Sequence, residues 1–342
     1  MTGACLFLGL APAVVAIVVQ AVVRVGRRAL RHPAMVGLAV AAFVALALVH
    51  VPFPVVVLAA GAAGWVLGRR WPATTAAPEP TDADEPPPLV PDDALHHASP
   101  SWHRNLLVLG VGGVLWVAPV LLAWVLAGGE RTVFVDQGLF FGGMALVTFG
   151  GAYAVLTYVA QAAVQTYGWL TAGEMVKGLG LAETTPGPLI MVVQFVAFVG
   201  AYRDPGALDP WVAAVLAALL TTWVTFVPCF LFIFLGAPYV ERLRGNRGLS
   251  AALGGITAAV VGVIANLAVF FAVHTLFAET ADRSWGAVHV EVPVLDSVRW
   301  LSVVIALVAA ALLFRLRWSV LRTLGACAVL GLLAAAVGLP VG

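Results

Sequence analysis

Charge is what this sequence has least of. Of 342 residues only 10% are Asp, Glu, Lys or Arg, while 62% are apolar and the mean hydropathy is +1.01. A soluble domain carries about 25% charged residues, so no globular surface can be assembled from this set. Cysteine is equally scarce. Cys5, Cys229 and Cys327 stand far apart in apolar runs, with no CxxC pair and no ligand spacing, which reads as small core residues and not as a disulfide frame or a metal centre. Basic residues nowhere cluster with interleaved aromatics, so nothing points to nucleic acid. No positive charge precedes the first apolar run, which continues to Val23 before Arg24 appears. A secretory signal has the opposite order, so Ala11-Pro12-Ala13 is read as part of a first membrane helix and not as a cleavage site.

Long apolar runs are what the sequence has instead. A helix crosses a hydrocarbon core about 30 Å thick in about 20 residues. This predicts an all-α polytopic membrane protein with about ten spans, near 4–23, 34–49, 53–68, 105–127, 138–165, 178–201, 209–235, 250–277, 298–314 and 319–338. Pro52-Phe53-Pro54 divides the second from the third. Arg24, Arg27, Arg28 and Arg31 follow span one, Arg69 and Arg70 span three, Lys177 span five, and Arg242, Arg244 and Arg247 span seven. Arg315, Arg317 and Arg322 lie between the last two. With ten spans all of these share one side, the cytoplasmic side of a cell (inner) membrane.

From Trp71 to His103 there are eight prolines, six acids and no Lys or Arg. Such a stretch cannot bury enough apolar surface to order itself, and it reads as a cytoplasmic linker. Asp92, Asp93, His96 and His97 lie in it, but nothing fixes them as metal ligands. No cofactor is expected.

Ala13-Val14-Val15-Ala16-Ile17-Val18-Val19-Gln20 aligns with Ala259-Val260-Val261-Gly262-Val263-Ile264-Ala265-Asn266. The expected direction of crossing is opposite for the two helices, which suggests an inverted repeat of the kind many secondary transporters use. The resulting division is 1–71 as the C-terminal part of a first repeat, 72–104 as linker and 105–342 as a complete second repeat. The segment from about 105 to 250 has no counterpart before residue 1, so the first repeat reads as incomplete.

The unusual sequence lies between Phe140 and Arg203. Phe149-Gly150-Gly151-Ala152-Tyr153 puts adjacent glycines in an apolar run, either for close packing or for a local break. Tyr167-Gly168-Trp169-Leu170 marks a membrane interface, and Glu174 and Lys177 are spaced to pair on one helix face. Then Glu183-Thr184-Thr185-Pro186-Gly187-Pro188 runs straight into apolar sequence. Thr185 suits an N-cap and Pro186 a first helical position. A helix starting there, within the bilayer, offers unpaired N–H groups and its positive dipole end to an anion. Thr184 and Thr185 add hydroxyl donors, whereas Pro186 and Pro188 have no N–H. Glu183, a carboxylate at membrane depth, is a proton-coupling candidate; the plainer reading is an interfacial loop anchor. Gln194 either donates to a substrate or bridges two helices.

These same motifs, with Tyr167-Gly168-Trp169-Leu170, the run Thr221-Thr222-Trp223-Val224-Thr225-Phe226-Val227-Pro228-Cys229-Phe230 and the stretch Glu241-Arg242-Leu243-Arg244-Gly245-Asn246-Arg247, resemble the chromate ion transporter family, in its long two-domain form. The resemblance covers about 104–342 strongly and 8–70 weakly. It implies chromate efflux from the cytoplasm and hence chromate resistance, with sulfate as the related tetrahedral dianion, and two homologous domains per functional unit. The substrate-binding candidates are then Thr148, Gly150, Gly151, Tyr153, Thr184, Thr185, Pro186, Gly187, Pro188 and Gln194.

Two other readings stand beside this one. The chain is a half-transporter that works as a homodimer or with a partner half, or it is a non-transporting remnant. A membrane enzyme would need convergent nucleophile, base or metal ligands. His50 and His274, the histidines at span ends, have no paired motif.

Overall fold

The computed structural model describes residues 2–70, 101–147, 152–184, 191–236, 239, 246–285 and 288–337. For 2–7, 152–154, 183–184, 282, 284–285 and 288–290 it describes the backbone alone. In chain order the helices are α1 (Thr2–Ala29), α2 (Pro33–Ala47), α3 (Phe53–Arg70), α4 (Trp102–Leu126), α5 (Val133–Val147), α6 (Ala152–Gln161, extended by a π turn Ala162–Thr166), α7 (Ala172–Thr184), α8 (Val192–Arg203), α9 (Pro210–Gly236), α10 (Arg247–Leu276), α11 (Trp300–Ala310, extended by a π turn Ala311–Arg315) and α12 (Val320–Ala336). Strands β1 (Thr280–Trp285) and β2 (Val288–Pro293) separate α10 from α11. The linker 72–104 falls outside the described residues except at its last four positions.

The chain is an all-α polytopic membrane protein, as its hydropathy predicts. Among the described residues five helices are long and apolar enough to cross a bilayer: α1 from Leu8 onward, α3, α4, α9 and α10. The second, ninth and tenth predicted segments are shorter apolar helices, α2, α11 and α12. Helix starts follow the local chemistry. Pro33 opens α2, and the His32 imidazole accepts from the Ala34 N–H at 3.2 Å. Asn246 and Ser319 cap α10 and α12 in the same way, each satisfying a donor that the first turn leaves open.

Packing between the N- and C-terminal helices is reciprocal. Helix α1 lies against α11 and α12, α10 lies against α2 and α3, and α1 and α10 pack on each other. Leu10, Ala13, Ala16 and Ile17 of α1 form one core cluster with Ile305, Ala309, Leu313, Leu324 and Cys327. At three crossings the backbones meet with no room for a side chain, one of them where a Cβ on Gly262 of α10 would overlap the Ala39 carbonyl of α2. A Cβ on Gly9 would overlap the Cys327 carbonyl, and one on Gly64 would lie 2.6 Å from the Ala251 carbonyl oxygen. The partner of Gly64 is Gly255. In the alignment that sets Ala13 on Ala259, Gly9 falls on Gly255.

Helix α4 buries none of its residues. It is held to α9 by two indoles. Trp116 Nε1 donates to Val224 O at 3.1 Å and Trp223 Nε1 to Leu115 O at 2.7 Å.

The strands were not foreseen. They pair antiparallel, with Glu291 opposite Asp282. The alternation Val288, His289, Val290, Glu291, Val292 is the signal that would have revealed them. Bonds from Ala278 N to Ser297 O and from Arg299 N to Leu276 O close the base of this excursion at 2.9 and 2.8 Å.

Substituting Gly64 or Gly255 by Val should lower stability by about 1–3 kcal/mol through overpacking. Thermal unfolding in detergent checks this, with Gly254→Ala, whose added Cβ meets nothing within 4 Å, expected to unfold no earlier than the natural chain.

Candidate functional site

Two contacts show that the predicted fifth and sixth spans do not run straight. Phe140 on α5 touches Tyr158 on α6 and Trp169 beyond it, with ring centroids 5.1 and 5.8 Å apart. On α7 the Glu174 carboxylate meets Arg203, the last residue of α8, at 2.5 Å. Each of the pairs Phe140–Trp169 and Glu174–Arg203 is 29 residues apart, which in one continuous helix is about 44 Å at 1.5 Å per residue. The chain therefore doubles back twice. Helices α5 and α6 form one hairpin, α7 and α8 another. The first reversal falls between Val147 and Ala152, where Gly150 and Gly151 stand. The second falls between Thr184 and Met191, which brackets Thr185-Pro186-Gly187-Pro188.

This corrects the expectation of single crossings at 138–165 and 178–201. It also moves Lys177. Taken to follow a crossing and join the arginines, it stands instead in the second turn of α7, near the shared base of the hairpins. Because each hairpin returns to its own side, the remaining helices keep their order of crossing.

The open ends of both hairpins meet in one base. Tyr167 and Trp169 stack at 4.3 Å and 8°, and Gly168 between them has φ +63°, a left-handed conformation that glycine adopts without a Cβ penalty. Trp169 lies against Phe140 and Phe141. Gln137, fully buried on α5, donates from Nε2 to the Ala197 carbonyl of α8 at 3.2 Å, while its Oε1 has no hydrogen-bond partner. Arg203 donates to Trp169 O at 3.3 Å. Phe53, at the start of α3, stacks on Tyr158 at 5.3 Å, and Gln165 shares a cavity with His50, Val273 and Glu291. The base thus lies on the side of the β-hairpin. Arg24, Arg27, Arg28 and Arg317 line a separate cleft at the far ends of α1 and α11. From the base, α5 runs back along α4, with Gly138 beside Val120 and Gly142 beside Trp116.

Partial burial pushes the Glu174 carboxyl up, but hydrogen bonds from Thr171 N and Oγ1 at 2.9 and 2.8 Å and the Arg203 guanidinium outweigh it. The net effect holds the group below its ordinary range. A lowered folded-state pKa means the tether is present at and above the ordinary carboxylate range and is lost as pH falls through the lowered value.

Among the expected site residues, Thr148, Gly150, Gly151, Thr185, Pro186, Gly187 and Pro188 lie outside the described residues. Tyr153 is in the first turn of α6, and Glu183 and Thr184 end α7, each with only its backbone described. Gln194 is in place on α8. Its Nε2 donates to Thr222 Oγ1 at 2.5 Å, and Thr222 donates in turn to Ala218 O at 2.8 Å, so it bridges α8 to α9. Residues that the sequence reading passed over include Gln137 and Thr157, both buried. Thr157 donates to Val263 O at 3.3 Å and joins α6 to α10. Lone polar residues inside apolar runs were the available signal. Among the described residues, no group of three His, Cys, Asp or Glu side chains is placed to hold a metal ion.

A sequence profile described as chromate transporter matches residues 135–332, more than half of the chain and both hairpins. The chain belongs to the chromate transporter family. Within this family it is similar to the chromate transport protein of Pseudomonas aeruginosa, 32% identical over 161 residues, which cover 46% of this chain and 35% of that protein. It is 29% identical over 135 residues to the chromate transport protein of Cupriavidus metallidurans, covering 40% and 31%. To the probable chromate transport protein of Synechococcus elongatus it is 30% identical over 131 residues, covering 38% and 30%. The chain spans about a third of the length of these relatives. No solved structure matches it.

Two measurements test the hairpins. Glu174→Cys with Arg203→Cys, with the natural cysteines replaced by Ser, should be joined by a short bifunctional thiol reagent, which two ends of a straight helix would never be. Glu174→Gln should cost at most about 1 kcal/mol of stability at neutral pH, because the pair is partly exposed. Its unfolding temperature should converge with that of the natural chain in strong acid, where the native carboxylate is protonated as well.

Proposed function

We propose that this chain is a secondary transporter that moves chromate, or a related tetrahedral oxyanion such as sulfate, across the membrane, and that it works as an efflux system that makes cells resistant to chromate. The observation that carries the proposal is the pair of reversals. Each motif singled out for anion binding lies in the stretch between the two helices of a hairpin, and the described part of the next helix begins just after it, α6 from Ala152 and α8 from Val192. A helix start within an apolar segment holds N–H groups without intrahelical partners and the positive end of the dipole. It attracts a dianion without a full cationic charge, so binding stays reversible. Thr148, Gly150, Gly151 and Tyr153 would serve the first turn, and Thr184, Thr185, Pro186, Gly187 and Pro188 the second. Gln194 stands one turn into α8, and Glu183, in the last turn of α7, is the candidate for exchanging a proton with the passing ion. That the relatives are named as chromate transport proteins supports transport over catalysis and chromate as cargo.

Reciprocal packing of α1 on α11 and α12 and of α10 on α2 and α3 supports a two-repeat reading, with 1–71 as part of one repeat and 105–342 as the other. In that reading a first pair of hairpins comes from sequence outside these 342 residues, on the same polypeptide, on a partner half or in a second copy.

Gly187→Leu and Gly151→Leu should each abolish chromate resistance in cells while membrane levels of the protein, read by immunoblot, stay unchanged. Resistance equal to that of the natural chain would remove the turns from the mechanism. Uptake of labelled chromate by inside-out but not right-side-out vesicles would be the mark of efflux.

A further inference from the structure

Beside the hairpins lies a second polar feature that the turns do not explain. A cavity of about 230 Å³ opens between α2, α6, α10 and the β-hairpin. Its polar lining comes from His50, Thr157, Gln161, Gln165, Asn266 and Glu291. Exposure falls along it, from His50, Gln165 and Glu291 at the mouth, through partly buried Gln161 and Asn266, to buried Thr157 at the floor. In a chain with so few polar residues, three carboxamides around one cavity stand out against an otherwise apolar bundle.

We infer that this cavity is the outer vestibule of the transport path, a second and weaker binding site where a tetrahedral dianion is held by the amide donors of Gln161, Gln165 and Asn266 after it has left the hairpin turns and before it is released. The inference rests on the transport reading above and adds to it a site, a side of access and three residues. Gln161 and Gln165 are four apart, so helical geometry places them on one face of α6, and Asn266 faces the same space from α10. The π turn Ala162–Thr166 ends α6 on this stretch. From Gln165 to Thr157 the cavity descends about 12 Å along α6, and Thr157 stands about 8 Å above the helix start at Ala152, at 1.5 Å per residue. The cavity therefore leads down the same helix whose N-terminus follows Gly150-Gly151. A water occupies about 30 Å³ of liquid, so this space takes a dianion with part of its hydration shell.

The donors are neutral, and neutral carboxamides suit a path better than arginines would. Conduction needs a site attractive enough to enter and weak enough to leave. Glu291 is the acid among the lining residues, and its carboxylate lies 3.4 Å from His274 Nε2. That contact fastens β2 to α10 at the mouth.

The test uses the full chain in vesicles, with Cys5, Cys229 and Cys327 replaced by Ser and a single Gln165→Cys or Asn266→Cys introduced. Leu58→Cys, at a 71% exposed position on the apolar face of α3, is the lipid-facing control. A charged, membrane-impermeant thiol reagent should label both vestibule positions and spare the control, and saturating sulfate should slow that labelling. In a second arm, Asn266→Leu added to the Gln165→Cys chain should raise about tenfold the external sulfate concentration that half-protects Gln165→Cys from the reagent, the loss expected for one hydrogen bond to a charged ligand. If the natural chain moves chromate but sulfate leaves labelling unchanged, or protects the Asn266→Leu chain at the same concentration, the vestibule is overturned and the transport reading stands. If the natural chain moves neither chromate nor sulfate, both fall.

Discussion

A backbone amide without a partner in hydrocarbon costs several kcal/mol, and everything unusual in this protein is arranged around that constraint. A chain that reverses direction at membrane depth leaves amides and carbonyls open at the turn. It is tolerated only where protein covers the turn or a polar cavity serves it. Here the helices that flank the two reversals are packed among other helices. Helix α5 lies between α4, α8 and α9, helix α7 lies against α1, and α6 is tied to α10. The donors left over at the helix starts are then the groups an anion would need.

What holds the reversals open is a base built mostly from aromatic rings. Phe140, Phe141, Tyr158, Tyr167 and Trp169 pack edge to face or stacked. Two polar ties cross it, the buried Gln137 amide and the partly exposed Arg203. The rings contribute burial that no salt can screen, and the ion pair contributes little. Orientation is the pair's role. It fixes α7 and α8 at one end so that their other ends stay side by side. The polar cavity along α6 lies on the same side as this base, so the two features share one face of the membrane.

The N- and C-terminal helices supply the frame. Gly9, Gly64 and Gly255 let helix backbones touch, which is how helices associate where lipid removes the hydrophobic drive between them. The same contact recurs once with α1 as the long helix and once with α10. A frame made of two such exchanged units resists sliding of either half, since each long helix is packed on the other unit's pair.

Much of this was legible in the residues alone. The scarcity of charge and the length of the apolar runs determined a helical membrane protein, because twenty apolar residues have few other stable fates. The arginines set the order of crossing. Hydropathy could not say that the fifth and sixth runs fold back. A run that crosses and a run that returns are equally apolar, and the difference lies in whether Phe140 finds Trp169 and Glu174 finds Arg203, contacts 29 residues apart. Nor could it gather Gln161, Gln165 and Asn266 around one space. Side chains on separate helices acquire a common purpose only when packing fixes the rotation of each helix, and that rotation was decided by the tertiary structure.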